Sequence, residues 1–455
     1  MKNLFTKVLR RPELVFLCIT TFFGILSVIS MPILGAPDEN QHFQVEYAIF
    51  SSHKAASQDL VLSESIVQSY VKNGYSGLFT NKTSAQNDGV GVNTGSRVFD
   101  KRTSASIKDL FRLPQALGIA VGRIIYPSIG SMVLTGRIFN LAVYIAILYF
   151  IIKKVKYGKW AFLFIACLPM MIQQAASLSY DSNNLLIIFA WVAYIINTFS
   201  WKSTITRRQI ILGLGLIGLL MLSKPSNVFL LALLLVLPST LVTNTTIYKK
   251  VRGHKYWLSI RNIAITLFII SVFVAGYIMG QKLLAGQAFH PRRLFDVLLN
   301  TYIRGDNLAL IDVVVNGMIG FFSNFYYHLP MWSVVIAFVV LFIALLHEKF
   351  PNVSKRFAAI SGLLFFGSIL IISVGMYYAW AIQPVRLGPN ANVTDGIQGR
   401  YFTPLLILLF PMFAYLQKYI RIEAKSPRVV PILVSTTSVL LLTLFIYQTW
   451  QFFWA

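Results

Sequence analysis

The chain has 455 residues, of which 56% are hydrophobic and 14% aromatic while only 12% are charged. That composition excludes an ordinary soluble globular protein, because too little polar side chain is left to cover so much apolar surface. The formal charge of +24 does not mark a nucleic-acid binder, since the basic residues stand in short clusters at the ends of apolar runs, the pattern of membrane orientation and of attraction to anionic lipid head groups.

Taken in order, the apolar runs predict an all-α polytopic membrane protein with about 11 transmembrane helices, each needing about 20 apolar residues. They lie near 13–34, 132–152, 159–178, 183–201, 209–223, 226–244, 262–282, 330–347, 357–380, 402–418 and 429–450. The first follows Arg10 and Arg11, is longer than a signal-peptide core, and is read as a retained anchor. Cys18 and Cys167 fall inside such runs as small hydrophobes, so neither a disulfide framework nor a cysteine metal site is implied.

Leu113 to Tyr126 is also apolar, but it contains Pro114, Gly118, Gly122 and Arg123. Read as an amphipathic or re-entrant helix, with the N-terminus cytoplasmic, it leaves the basic clusters at Lys153–Lys159, Lys202–Arg208, Lys249–Arg261, Lys349–Arg356 and Lys418–Arg428 all inside. Those clusters and the N-terminus hold more than half of the 40 Lys and Arg. A full span at 113–126 would turn every later cluster outward, against the positive-inside rule. Most of the 16 acids then fall on the outer face.

The whole chain, 1–455, reads as a single membrane domain with a large first extracytoplasmic loop, 35–131, and a second, 283–329. In the first loop Phe43, Tyr47 and Phe50 recur at helical spacing, as do Ile66 and Tyr70. Between Gly74 and Ser106 the composition turns to Gly, Ser, Asn and Thr, that of an irregular segment.

Asp38 and Glu39 stand together after the first run. With Pro37 as the first residue of a helix, two acids complement the helix dipole. The alternative is a general base at the membrane surface, where low dielectric raises a carboxylate pKa. His42 and Glu46 share a helical face with Glu39. Asp181 caps the next helix, or with Asp38 holds a divalent cation such as Mg or Mn, or orients a substrate hydroxyl. Arg137, Lys224 and Arg400 lie near the outer boundary, where they snorkel to head groups or grip a phosphate. The aromatic set Tyr326, Tyr327, Trp332, Tyr377, Tyr378, Trp380 and Tyr401 is an interfacial belt or a wall for stacking a sugar. There is no phosphate-binding G-x-x-x-x-G-K-[ST] loop and no H-E-x-x-H motif, which argues against nucleotide-driven work and a zinc hydrolase.

Pro37-Asp38-Glu39-x-x-His42, Gly136-Arg137-x-x-Asn140, Ser179-x-Asp181-x-x-Asn184, Lys224-Pro225 and Gly399-Arg400-Tyr401-x-x-Pro404 occur in that order across most of the chain. The ordered set resembles a bacterial family of large membrane proteins that is similar to the GT-C class of glycosyltransferases. The resemblance implies a sugar moved from a polyprenyl-phosphate carrier to a cell-surface polysaccharide or other envelope glycan, on the outer face of the cell membrane. It implies a carboxylate base, Asp38 with Glu39 as neighbouring candidate, and inversion at the anomeric carbon. His42, Arg137, Asp181, Asn184, Lys224, Arg400 and Tyr401 are the expected substrate-binding residues, with Asp38 and Asp181 as candidate metal ligands. Two other readings share many spans and outer arginines: a polysaccharide polymerase or O-antigen-ligase-like enzyme, and a flippase or transporter of lipid-linked sugars. A single site requires Asp38, Asp181 and Arg400 to converge within about 15 Å.

Overall fold

The computed structural model describes residues 11–50, 107–126, 129–201, 205–238, 291–304, 308–322, 327–351, 353–384, 386–420 and 426–454. The expected span at 262–282, the end of that at 226–244, the repeats around Ile66, the Gly- and Ser-rich segment, the basic cluster at Lys249–Arg261, Tyr326 and part of the second loop lie outside the described residues.

Helix α1 (Pro12–Ser30) begins on a proline, whose missing N–H costs nothing in a first turn. Pro32, Gly35 and Pro37 end its apolar run. Helix α2 starts at Glu39 rather than at Pro37 and runs Glu39–Tyr47. The difference has a physical cause in the reversal between the two helices. Gly35 N–H donates to Pro32 at 3.0 Å and Glu39 N–H to Ala36 at 3.2 Å. Leu34 and Asp38 both take positive φ, 61° and 59°. Aspartate tolerates that left-handed conformation better than most residues.

Residues Ile107–Arg112 form a 3-10 turn that leads into α3 (Leu113–Ile125). With 13 residues, α3 is about 20 Å long, short of the roughly 30 Å hydrocarbon core. It packs instead along the start of α4 (Ile129–Lys154). A Cβ on Gly118 would stand 2.6 Å from the Gly136 Cα, so glycine is required for the two backbones to come this close.

The run at 159–178 does not form one continuous helix. It splits into α5 (Lys159–Ala166) and α6 (Pro169–Ala175), because Pro169 cannot continue the hydrogen-bond ladder. Every residue from Trp160 to Ser179 is buried, which makes this broken pair the core of the bundle. Helices α7 (Asp181–Thr198) and α8 (Arg207–Leu222) follow. α8 opens with a capping box in which Thr206 N–H donates to the Gln209 side chain at 2.8 Å. After Lys224 a 3-10 stretch covers Pro225–Val236.

The second half contains α9 (Pro291–Tyr302), α10 (Leu308–Ile319), a two-residue antiparallel pair β1 (Phe321–Phe322) and β2 (Tyr327–His328), and α11 (Met331–His347). α12 (Lys355–Met376) continues into a π turn, Tyr377–Ala381; short 3-10 turns at Gly399–Tyr401 and Thr403–Leu408 lead to α13 (Leu409–Leu416) and α14 (Val429–Phe453). Among the described residues four helical stretches are long and apolar enough to cross a membrane: Pro12–Ser30, Gly130–Lys154, Lys355–Ala381 and Val429–Phe453. The protein is a predominantly helical, multi-pass membrane protein. Outward faces such as Leu363, Phe366 and Leu370 of α12 stay exposed, as a helix in hydrocarbon requires.

The bundle has two distinct ends. At one, Glu348 accepts from the backbone N–H of Gly158 and Trp160 at 2.7 and 2.8 Å, and Gln417 donates to the carbonyls of Leu346 and Glu348. The other end gathers the starts of α2, α4 and α7 with the turns at Lys224 and Arg400, and the polar residues concentrate there.

Candidate functional site

The site is built on a buried clamp. Arg137 on α4 and Glu39 on α2 have no exposed side-chain surface. Arg137 donates in a fork, Nε to Oε1 at 2.8 Å and Nη2 to Oε2 at 2.5 Å. Its remaining donors take the carbonyls that end α1, Met31 and Pro32, both at 2.7 Å. Glu39 Oε1 also accepts from Leu178 N–H at 3.1 Å. One ion pair thus ties α1, α2, α4 and the turn before α7 together. Every polar atom of this pair is occupied by protein, which makes Glu39 and Arg137 a scaffold under the site rather than groups facing a substrate.

The turn that presents Asp181 is held the same way. Asn140 Nδ2 donates to the carbonyls of Gln174, Ser177 and Ser179 at 3.2, 2.8 and 3.2 Å. Gln115 Nε2 on α3 donates to Ser179 at 3.1 Å, and Ser182 Oγ donates to Asn140 Oδ1 at 3.1 Å. The motifs Gly136-Arg137-x-x-Asn140 and Ser179-x-Asp181 are therefore two halves of one junction.

On this platform four charges from distant parts of the chain form a row. Arg400 Nη2 lies 2.6 Å from Asp38 Oδ2, Arg400 Nε lies 3.7 Å from Asp181 Oδ2, and Lys224 Nζ lies 2.5 Å from Asp181 Oδ1. Asp38, Asp181 and Arg400 thus converge. Their exposures differ: the side chain of Asp38 is 45% accessible, those of Asp181 and Arg400 only 11% and 5%. Burial alone would raise the Asp181 carboxyl, but Lys224 and Arg400 outweigh it and hold it down at about 2. Arg400 Nη1 and Nε are buried with no hydrogen-bond acceptor. Its position is set by Gly399, whose backbone lies directly on Gly317 and Met318 of α10 and leaves no room for a Cβ.

Around the row stand aromatic rings and amides. Lys224 Nζ lies 5.3 Å above the Tyr180 ring and 5.0 Å from that of Tyr401, and the Arg400 guanidinium 5.6 Å from Tyr401. Asn227 Nδ2 donates to Asn184 Oδ1 and, at 2.8 Å, to Ser223 Oγ. His42 is buried, meets Tyr180 edge-on, and its Nδ1 accepts from Arg112 Nη1 at 3.1 Å. Burial and then Arg112 push its pKa down to about 4, so the ring is neutral.

The chain belongs to the predicted membrane protein family DUF2142. The match covers residues 21–409, which takes in every member of the cluster from Asp38 to Tyr401. No curated protein and no solved structure matches the chain.

In this DUF2142 member a metal fits poorly at the two candidate ligands. Asp38 and Asp181 both turn toward Arg400, whose guanidinium takes the place of a cation between them. Among the described residues no group of three His, Cys, Asp or Glu stands where it could hold a metal ion. The structure brings Asp38, His42, Asp181, Asn184, Lys224, Arg400 and Tyr401 together and places Glu39 and Arg137 beneath them. It sets Tyr327 apart, bonded to Thr449 on α14, and Tyr377 against the Ala391 carbonyl. Sequence reasoning missed Arg112, Tyr180 and Asn227. Arg112 carried a signal, a cation immediately before an apolar helix on the expected outer face.

Proposed function

We propose that the protein is a glycosyltransferase that moves a sugar from a polyprenyl-phosphate carrier to an envelope glycan at the outer leaflet. The observation that carries this reading is the row Asp38–Arg400–Asp181–Lys224, in which a half-exposed carboxylate adjoins a buried guanidinium whose Nη1 has no acceptor. A buried cation with an open donor suits an anion, and a phosphate oxygen answers that requirement.

In the proposed reaction the acceptor hydroxyl oxygen attacks the anomeric carbon while Asp38 takes its proton. The bond from the anomeric carbon to the phosphate oxygen breaks, and its electron pair leaves with the lipid phosphate. Arg400 and Lys224 stabilise the charge that grows there. Direct attack from the face opposite the leaving group inverts the sugar. Asp181 keeps the two cations in place, and no metal step is needed for the charges to balance. The sidedness rests on the basic clusters, and the meeting of Glu348 with the Gly158 turn at the far end of the bundle from Asp38 agrees with it.

The test is transfer by the purified protein in nanodiscs, given a panel of polyprenyl-phosphate sugars and envelope glycan fragments. Release of the carrier is expected, and Asp38→Asn should lower it by about two to four orders of magnitude with the protein still folded. Full turnover by that variant would remove Asp38 from the mechanism. Movement of lipid-linked sugar across vesicles with no transfer would replace the enzyme by a transporter.

A further inference from the structure

Two cavities of about 240 Å³ each share Asn184 and Lys224 in their walls. One is neutral apart from Lys224, with Ser226, Asn227, Ser368 and Tyr401 as hydrogen-bonding groups. The other is of mixed character. It has Arg112 and Lys224 on one hand, and Phe111, Ile187, Leu222 and Pro225 on the other. Among its lining residues there is no carboxylate.

We propose that this second cavity, walled by Arg112, Tyr180 and Lys224, binds a phosphate group that carries a hydrocarbon tail, with Arg112 as a phosphate-binding residue. Two cations converge on it, since the Arg112 guanidinium lies 4.3 Å and Lys224 Nζ 5.3 Å from the centroid of the Tyr180 ring. Bringing like charges to one ring is costly unless an anion joins them. Lys224 has Asp181. Arg112 has Glu46 at 3.3 Å, a side chain with no exposed surface and one oxygen without a partner. Burial raises the Glu46 carboxyl well above the usual carboxylate range, against the attraction of Arg112. His42, the other partner of Arg112, accepts through a neutral ring. The site thus brings a guanidinium, held by one buried carboxylate and a neutral ring, to the edge of an apolar pocket. An inorganic phosphate would satisfy the charge but leave the apolar walls unfilled, whereas a prenyl phosphate satisfies both.

The identification of this ligand as the sugar donor rests on the transferase reading, but its binding does not. The probe is citronellyl phosphate, titrated into the full-length protein in zwitterionic nanodiscs, with citronellol and inorganic phosphate as separate arms. Saturable binding of citronellyl phosphate is expected, at least about tenfold tighter than either control, as a charge-assisted contact plus buried hydrocarbon should give. Arg112→Gln should weaken it by about tenfold or more, with Arg112→Lys between that and wild type. Because Arg112 also touches Glu46, Leu222→Phe serves as a second variant that fills the cavity from its apolar wall, and it should weaken binding without altering any charge. Binding unchanged in both Arg112→Gln and Leu222→Phe would overturn the proposal, as would inorganic phosphate binding as tightly as the prenyl phosphate. Probe binding without any sugar transfer would leave this site standing and remove the transferase reading. Transfer with no effect of Arg112→Gln on probe binding would do the reverse.

Discussion

Glu39→Gln separates a scaffold from a catalytic acid. The substitution keeps the side-chain shape but leaves a guanidinium with no exposed surface facing an amide instead of a carboxylate. Removing one partner of a buried pair costs about 3–5 kcal/mol, because the other charge stays buried. Arg137 keeps the Met31 and Pro32 carbonyls, each at 2.7 Å, and the amide oxygen still accepts one bond, so the expected loss is at the low end, about 3 kcal/mol. That lowers the folded-to-unfolded ratio by about two orders of magnitude. Equilibrium unfolding in mixed micelles, followed by tryptophan fluorescence, measures it. A Glu39→Gln protein as stable as wild type would refute the clamp and make Glu39 a candidate base again.

Gly399→Ala forces the chain away from Gly317 and carries Arg400 with it. The expected stability loss is about 1–3 kcal/mol, while transfer should fall by about a hundredfold if Arg400 moves by an ångström, a ratio that parallel unfolding and activity assays resolve. Asn140→Ala strips three carbonyls of their shared donor; a loss of about 1–3 kcal/mol is expected in the same unfolding assay. His42 gives a pH signature. Its folded pKa of about 4 lies below the ordinary histidine value of 6.5, so the unfolded chain binds more protons between those limits and stability falls as the pH drops from 6.5 to 4. The drop approaches about 3 kcal/mol and levels off below pH 4. Unfolding midpoints across that range should flatten in His42→Gln, and an unchanged pH dependence would show that other groups carry it.

Much of the site could be read in the sequence as types and order, but not as roles. Asp38, Asp181, Lys224 and Arg400 each had a bland local explanation, as helix start, cap or snorkelling cation, and each kept it until their side chains were seen in one row. Glu39 and Arg137 looked like chemistry for the same reason that they are structural: a charge inside an apolar run needs a partner, and 98 residues separate these two along the chain. Periodicity also could not tell a buried, broken helix from a continuous lipid-facing one, because both carry apolar residues on every side.

What the sequence determined by itself is what depends on neighbours along the chain. Apolar length specifies helices and a membrane home, Pro169 breaks a helix wherever it sits, and Gly118 and Gly399 permit close backbone contact. What only the tertiary structure decided is which charges meet. Arg400 is 362 residues from Asp38, and no local preference records that distance. The pairing follows from burial: a guanidinium shut away from water must find its acceptors in the fold, and here it finds two carboxylates and leaves Nη1 without an acceptor.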